Sequence, residues 1–177
     1  VSNWASPILV RLKKDSTPDD IRLKIICDFR RLNEVTIPDA AGLGNQDEIL
    51  HGFGGNQRFA GIVDAAGGFY QFLINPEHKH RTAFVLPTSM GGTSFAWRVA
   101  PYGLTRNPAG YSRGMMLALK GLSSCSLPGG TGGAASWIDD VSLHADSFDA
   151  FAELFELILT RIAFAGMSLK AEKCYLL

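Results

Sequence analysis

The sequence predicts an α+β fold built round a largely antiparallel sheet. Short apolar runs rich in Ile, Leu and Val alternate with tight turn clusters, as strands do. Two helical stretches interrupt them without the regular βαβ rhythm of a doubly wound fold. Of the 177 residues 46% are hydrophobic and 19% charged, enough apolar matter to bury a core. The same balance is too apolar for a disordered chain. No run of about 18 apolar residues exists, so no transmembrane helix and no membrane partner is expected.

Taken in order, Ile8 to Lys14 and Arg22 to Phe29 read as a hairpin joined by Asp15-Ser16-Thr17-Pro18-Asp19-Asp20, with a basic tip. Asp47 to Phe53 reads as a short helix stopped by Gly54-Gly55. Arg58 to Asp64 is a buried strand ending on a carboxylate, and Phe69 to Ile74, Thr82 to Leu86 and Phe95 to Ala100 are further strand candidates. Asn107-Pro108 places a capping side chain before a proline at the first helical position, predicting a helix to about Lys120. Leu127 to Gly133 is glycine-rich and reads as a flexible linker. Strands follow into Trp137-Ile138-Asp139-Asp140 and through Val141 to His144. Asp146 or Ser147 caps the longest helix, whose Phe148, Phe151, Phe155, Ile158 and Ile162 recur at helical spacing until Gly166.

Formal charge is zero, against the basic footprint usual for nucleic-acid binders, but its distribution is uneven. Seven basic residues (Arg11, Lys13, Lys14, Arg22, Lys24, Arg30, Arg31) face four Asp between positions 11 and 31, whereas six acids and no Lys or Arg lie between Asp139 and Glu156. Cys27, Cys125 and Cys174 lack the spacing of a zinc site or a disulfide framework, and a reducing compartment is expected. His78 and His80 have no third ligand near them in sequence. The chain begins at Val1 without a charged-then-apolar leader, which reads as a piece of a longer protein.

The chemistry sits in the acids. Asp139-Asp140 lies at a bend between two apolar strands, and Asp64 ends another strand 75 positions earlier (139 − 64). A lone Asp-Asp at a hairpin is ordinary turn chemistry. If the strands are neighbours, however, the carboxylates converge and repel unless cations sit between them. That outlines a two-metal site for in-line displacement.

Trp4-Ala5-Ser6-Pro7, Lys13-Lys14-Asp15, Asp28-Phe29-Arg30-Arg31-Leu32-Asn33, Asp64 with Gly68-Phe69 and Gln71, Pro76-Glu77, Arg81-Thr82-Ala83-Phe84, Pro101-Tyr102-Gly103-Leu104-Thr105 with Asn107-Pro108-Ala109, Ile138-Asp139-Asp140, and Gly166-Met167-Ser168-Leu169 with Lys173-Cys174 follow one another in this order. The series resembles the reverse transcriptases of Ty3/Gypsy-type retrotransposons and their retroviral relatives over nearly the whole chain. The resemblance implies a palm with an antiparallel sheet and helices on one face (39–72 and 101–177), and a fingers subdomain (1–38 and 73–100) with the thumb absent.

It further implies RNA-directed DNA polymerase activity on a template-primer with dNTP. Asp64, Asp139 and Asp140 would bind two Mg²⁺ or Mn²⁺, with the backbone carbonyl of Val63 or Ala65 as an extra ligand. Phe69, five positions after Asp64, would exclude a ribose 2′-hydroxyl. Lys13, Lys24 and Tyr102 would meet the nucleotide, and Trp137, Ile138, Arg30, Asn107 and Pro108 the primer and template. By the same resemblance a parent polyprotein would carry the thumb, ribonuclease H, protease and integrase, in the cytoplasm within a virus-like particle, or in the nucleus. Trp137 stands where the family has Tyr or Phe, Lys24 where it has Arg, and Gly42 and Gly44 where it has prolines. Trp137 and the glycine-rich linker favour the rival expectation of an inactive palm-like scaffold from a decayed element; an RNA-dependent RNA polymerase is a further rival, against which Phe69 speaks. Cys174 is expected to be a buried structural thiol.

Overall fold

The turn cluster after Lys14 folds Ile8–Leu12 (β1) back on Leu23–Cys27 (β2) as an antiparallel pair, with Ile8 opposite Cys27 and Leu12 opposite Leu23. The structure, a computed structural model, describes residues 2–39 and 56–177, so the helix expected over 47–53 lies outside the described residues. Two compact units emerge: Val1–Asp39 with Phe72–Asn107, and Ala40–Gln71 with Pro108–Leu177.

In the first unit a short helix, Arg30–Glu34 (α1), follows the hairpin, and Phe84–Val85 (β4) pairs antiparallel with Ser94–Phe95 (β5). Cys27, Phe29, Leu32 and Phe84 form its core, flanked by Ile8, Leu86, Trp97 and Leu104. The Trp97 indole donates to Cys27 Sγ at 3.3 Å, which gives the ring nitrogen of this partly buried side chain a partner. At the hairpin tip Arg22 pairs with Asp15 at 2.9 Å and Asp20 at 2.7 Å, while Lys13 and Lys14 lie exposed in the turn beyond β1. The strands expected over 82–86 and 95–100 shrink to two residues each. His78 and His80 lie in a 3₁₀ segment, Pro76–Thr82, opened by Asn75, whose side chain accepts from the Glu77 N–H.

The second unit holds a five-stranded sheet in the order β6-β7-β8-β3-β9: Cys125–Leu127, Gly130–Trp137, Asp140–Ala145, Phe59–Asp64 and Tyr175–Leu176. Every ladder in it is antiparallel, as the sequence predicts. Helix α2 is Asn107–Ala118, and α3, Phe148–Phe164, starts where Ser147 accepts from the Ala150 N–H at 3.2 Å. Ala150, Phe151, Leu154, Ile158 and Ile162 of α3 are buried, as are Val63, Val141 and Leu143 of the sheet. Burying each of the larger side chains contributes about 1.5–3 kcal/mol. Phe148, expected in the same stripe, is mostly exposed; its ring meets Phe59 edge-on at 5.9 Å instead.

Two further expectations fail for reasons of backbone geometry. The segment after Asp64 is no strand: Gly67 and Gly68 both take positive φ and turn the chain into a 3₁₀ segment, Gly68–Gln71. The glycine-rich stretch 127–133 is no flexible linker: it runs from the last residue of β6 through a tight turn into the start of β7. A Cβ at Gly132 would stand 2.8 Å from the His144 carbonyl oxygen and one at Gly133 2.5 Å from that of Ser123, so glycine permits this close packing of backbone. Cys174 is only half-buried, and its thiol donates to the Lys170 carbonyl.

Candidate active site

Register alone brings the acids together. In the β3–β8 ladder Asp64 stands directly opposite Asp140, which places their Cα atoms about 4.5–5.5 Å apart. Trp137 faces Asp140 across the β7–β8 ladder, so Ile138 and Asp139 form the two-residue bend between those strands. Side chains paired in this way share one face of the sheet, so Asp64, Asp140 and Trp137 project together. The bend is fastened to β3 by a hydrogen bond from the Ala65 N–H to the Asp139 carbonyl at 2.9 Å.

Ile138 has φ +50, a left-handed conformation that a β-branched residue adopts at a cost of order 1–3 kcal/mol. A two-residue hairpin loop with positive φ at its first position normally takes glycine there. The strain is held by the ladders on both sides, and it sets the Asp139 backbone at the point where the two strands separate.

Burial pushes the Asp139 carboxyl above its ordinary range, and the negative charges of Asp64 and Asp140 push it further. Its Oδ1 is buried without a hydrogen-bond partner. Lys173 offsets part of this charge: its ammonium donates to Asp64 Oδ2 at 3.2 Å, and that contact raises the lysine above its usual value, with smaller contributions from Asp140 and Asp139. Lys173 was read in the sequence only as part of a resemblance, since no spacing rule links positions 109 apart. The loop before it is laced to the end of β3, where the Lys170 N–H donates to the Asp64 carbonyl at 2.8 Å and the Ala66 N–H to that of Ser168 at 2.9 Å.

Phe69 follows in the 3₁₀ turn, with its ring edge-on to the buried Tyr111 ring of α2 at 5.5 Å. Gln71 closes the turn reciprocally: its Oε1 accepts from the Ser168 N–H at 2.6 Å and its Nε2 donates to the Ser168 carbonyl at 3.1 Å. Val63 is wholly buried in β3, and the Ala65 carbonyl accepts from the Gly68 N–H at 3.4 Å. Asp64, Asp139, Asp140, Phe69, Trp137 and Ile138 thus belong to one unit.

The remaining expected residues lie elsewhere in the chain. In the first unit the Lys24 ammonium sits 5.0 Å above the Tyr102 ring, and Lys13 is exposed on the strand side of the hairpin turn. Arg30 is held by Asp28, whose carboxyl that guanidinium lowers to about 2. Asn107 donates from its side chain to the Pro101 carbonyl at 2.6 Å, and Pro108 follows it in the first turn of α2.

Among the described residues no group of three or more His, Cys, Asp or Glu side chains is closed round a point ready for a metal ion. The donor chemistry nevertheless suits a hard divalent cation: carboxylate oxygens only, one of them orphaned and buried, with mutual repulsion that a cation would relieve. The donor set therefore fits such an ion, and Lys173 meets one of its carboxylates, Asp64.

A mixed α/β domain with an antiparallel sheet and three carboxylates gathered at one end of it is the class that fold and site define. Residues 12–177 match the sequence profile described as "Reverse transcriptase (RNA-dependent DNA polymerase)". The chain belongs to the reverse transcriptase family. It is 31% identical over 175 residues to the retrovirus-related Pol polyprotein from transposon 297 of Drosophila melanogaster, a match covering 98% of this chain and 15% of that protein. It is 28% identical over 155 residues to the enzymatic polyprotein of soybean chlorotic mottle virus, covering 87% of this chain and 21% of that one. The chain therefore spans about a fifth or less of these curated relatives.

In fold it resembles the prototype foamy virus protease-reverse transcriptase, with a TM-score of 0.76 at 23% identity, over 98% of this chain and 21% of that one. It likewise resembles the foamy viral protease-reverse transcriptase in complex with RNA/DNA hybrid, with a TM-score of 0.78 at 20% identity, over 99% of this chain and 21% of that chain.

Proposed function

We propose that this chain is the fingers and palm core of a Ty3/Gypsy-type retroelement reverse transcriptase, an RNA-directed DNA polymerase that transfers a nucleotide from dNTP to a primer 3′-hydroxyl. The carrying observation is the register that sets Asp64 opposite Asp140 with Asp139 in the bend between strands. The unit containing the five-stranded sheet corresponds to the palm and the unit containing the β1–β2 hairpin to the fingers. Membership of the family and the polyprotein context of its relatives support the reading.

Asp64, Asp139 and Asp140 would hold Mg²⁺ or Mn²⁺, with the Val63 or Ala65 carbonyl as a further ligand. When bound, such ions supply Lewis acidity towards the attacking hydroxyl and the departing pyrophosphate. The Phe69 ring, braced edge-on by Tyr111, packs under the sugar and leaves no room for a 2′-hydroxyl. Lys13 and Lys24 attract the triphosphate, and Tyr102 borders the nucleotide. Trp137, Ile138, Arg30, Asn107 and Pro108 face primer and template. The parent polyprotein supplies the thumb, ribonuclease H, protease and integrase, and acts in a cytoplasmic virus-like particle or the nucleus.

Primer extension on primed RNA and DNA templates, by the polypeptide that includes the downstream segment, tests the proposal. Asp139→Asn should lower the rate by at least about a hundredfold, a loss of roughly 2.7 kcal/mol of transition-state stabilisation. An unchanged rate removes Asp139 from the machinery. Trp137, which stands where the family has Tyr or Phe, favours a second reading, a palm retained as a scaffold without catalysis. Mn²⁺ titration separates the two, since a scaffold has no need to bind the ion through these acids.

A further inference from the structure

The three atoms nearest to a side chain built at Gly68 all belong to one carboxylate. A Cβ built at Gly68 would stand 2.7 Å from Oδ1, 2.8 Å from Oδ2 and 3.0 Å from Cγ of Asp139. Carbon and oxygen do not approach so closely without one of them moving. The Oδ1 atom concerned is the buried oxygen with no hydrogen-bond partner, so among the described residues no donor holds that oxygen in place. Shape bounds the carboxylate on one side, where the glycine backbone lies, and it is repelled by the charges of Asp64 and Asp140 and more weakly attracted by that of Lys173.

We propose that Gly68 is a positioning residue for Asp139, its missing side chain forming the seat in which that carboxylate rests. The proposal deepens the reading of the acids as metal ligands and rests on it.

The turn carrying Gly68 has little freedom to back away. Gln71 at its end is held by two hydrogen bonds to the Ser168 backbone, and Phe69 is braced against buried Tyr111. Any volume added at Gly68 must therefore displace Asp139 rather than the turn. Because Phe69 is the next residue, the same turn sets both a carboxylate and the ring proposed to sense the sugar.

The chain provides its own control. Gly67 also has positive φ (+73°, against +49° at Gly68), but a Cβ there meets nothing nearer than Tyr70 Cβ at 4.0 Å. Gly67→Ala and Gly68→Ala both force alanine into the left-handed region; only the second touches the carboxylate.

The test has two readouts on the intact chain. Thermal unfolding without divalent ions is measured for Gly67→Ala, Gly68→Ala, Asp139→Ala and the double variant Gly68→Ala/Asp139→Ala. Gly68→Ala should lose more than Gly67→Ala, and the excess should vanish once Asp139 is truncated. Equal losses, or an excess that survives truncation, overturn the proposal. Should Gly68→Ala not fold, recovery of the fold in the double variant supports the seat and continued misfolding overturns it. Secondly, Mn²⁺ binding is followed by electron paramagnetic resonance: Gly68→Ala should bind about tenfold more weakly or worse, with Gly67→Ala within about twofold of wild type. Matching affinities for the two alanine variants overturn the positioning role. If wild type itself binds no Mn²⁺, the metal-ligand reading fails, and the unfolding cycle still decides whether Gly68 seats Asp139.

Discussion

In the sheet unit the acidic side chains stand at the ends of strands whose Val63, Val141 and Leu143 are wholly buried; in the hairpin unit the basic side chains stand on strands whose Leu12 and Leu23 are 65% and 56% exposed. The contrast follows from what each set of charges needs. Three carboxylates repel, so holding them together requires a frame whose packing outweighs the repulsion, and β3, β7, β8 and α3 supply it. A two-stranded hairpin with apolar residues exposed on it is marginal by itself. Scattered cations such as Lys13 and Lys24 need no such frame.

The largest effect that could break this comparison is in packing. Leu154 of α3 is wholly buried, and Leu154→Ala should cost about 2–5 kcal/mol in urea unfolding through lost transfer energy and the cavity left behind. Leu12→Ala on the exposed hairpin should stay within about 0.5 kcal/mol. Comparable losses at both positions would mean that the hairpin is packed as tightly as the sheet.

A smaller effect concerns protonation. His144 is buried in β8, and burial alone holds its imidazole below the ordinary value of 6.5. An unfolded chain takes up a proton near that value while the folded chain resists it, so below pH 6.5 the unfolded state binds more protons and stability rises with pH. Stability from this group is therefore full above the unfolded value and lost as the pH falls below it, with a slope of at most about 1.4 kcal/mol per pH unit. His144→Gln should flatten the profile below pH 6.5. The hairpin unit up to Asp39 contains no histidine, so variants there should leave the slope unchanged.

Legibility in the sequence divides along the same line. The strand ending at Asp64 and the capped helix from Ser147 are readable because turn residues and periodicity are local signals, and the bend expected at Asp139-Asp140 lies one residue earlier, at Ile138-Asp139, with Asp140 opening β8. The pairing of Asp64 with Asp140 is not readable in this way; it is a conditional that only the ladder register resolves. Glycine misled twice, since the same residue that loosens a linker also lets β7 approach the Ser123 and His144 carbonyls. The 3₁₀ turn after Gly67 was hidden behind Phe69-Tyr70-Gln71-Phe72-Leu73-Ile74, an apolar run whose strand-like composition is overridden by two positive-φ glycines. Lys173 and Gln71 act through partners 109 and 97 positions away, and composition carries no trace of such contacts.

The smallest expected effect lies on the hairpin, where Lys24 rests its ammonium above Tyr102. An exposed cation–π contact contributes about 0.5–1 kcal/mol, so Lys24→Met, which keeps the apolar stem, should barely change the unfolding midpoint. If this lysine also meets the triphosphate, the same change should raise KM for dNTP while kcat stays close to wild type, because a contact made equally in ground and transition states is lost. Lys24→Arg should restore KM or improve on it, since a guanidinium can bind phosphate oxygens through two donors where an ammonium acts as a point charge. A fall in kcat with KM unchanged would instead assign Lys24 to the reacting centre, and a stability loss rivalling Leu154→Ala would assign it to the frame.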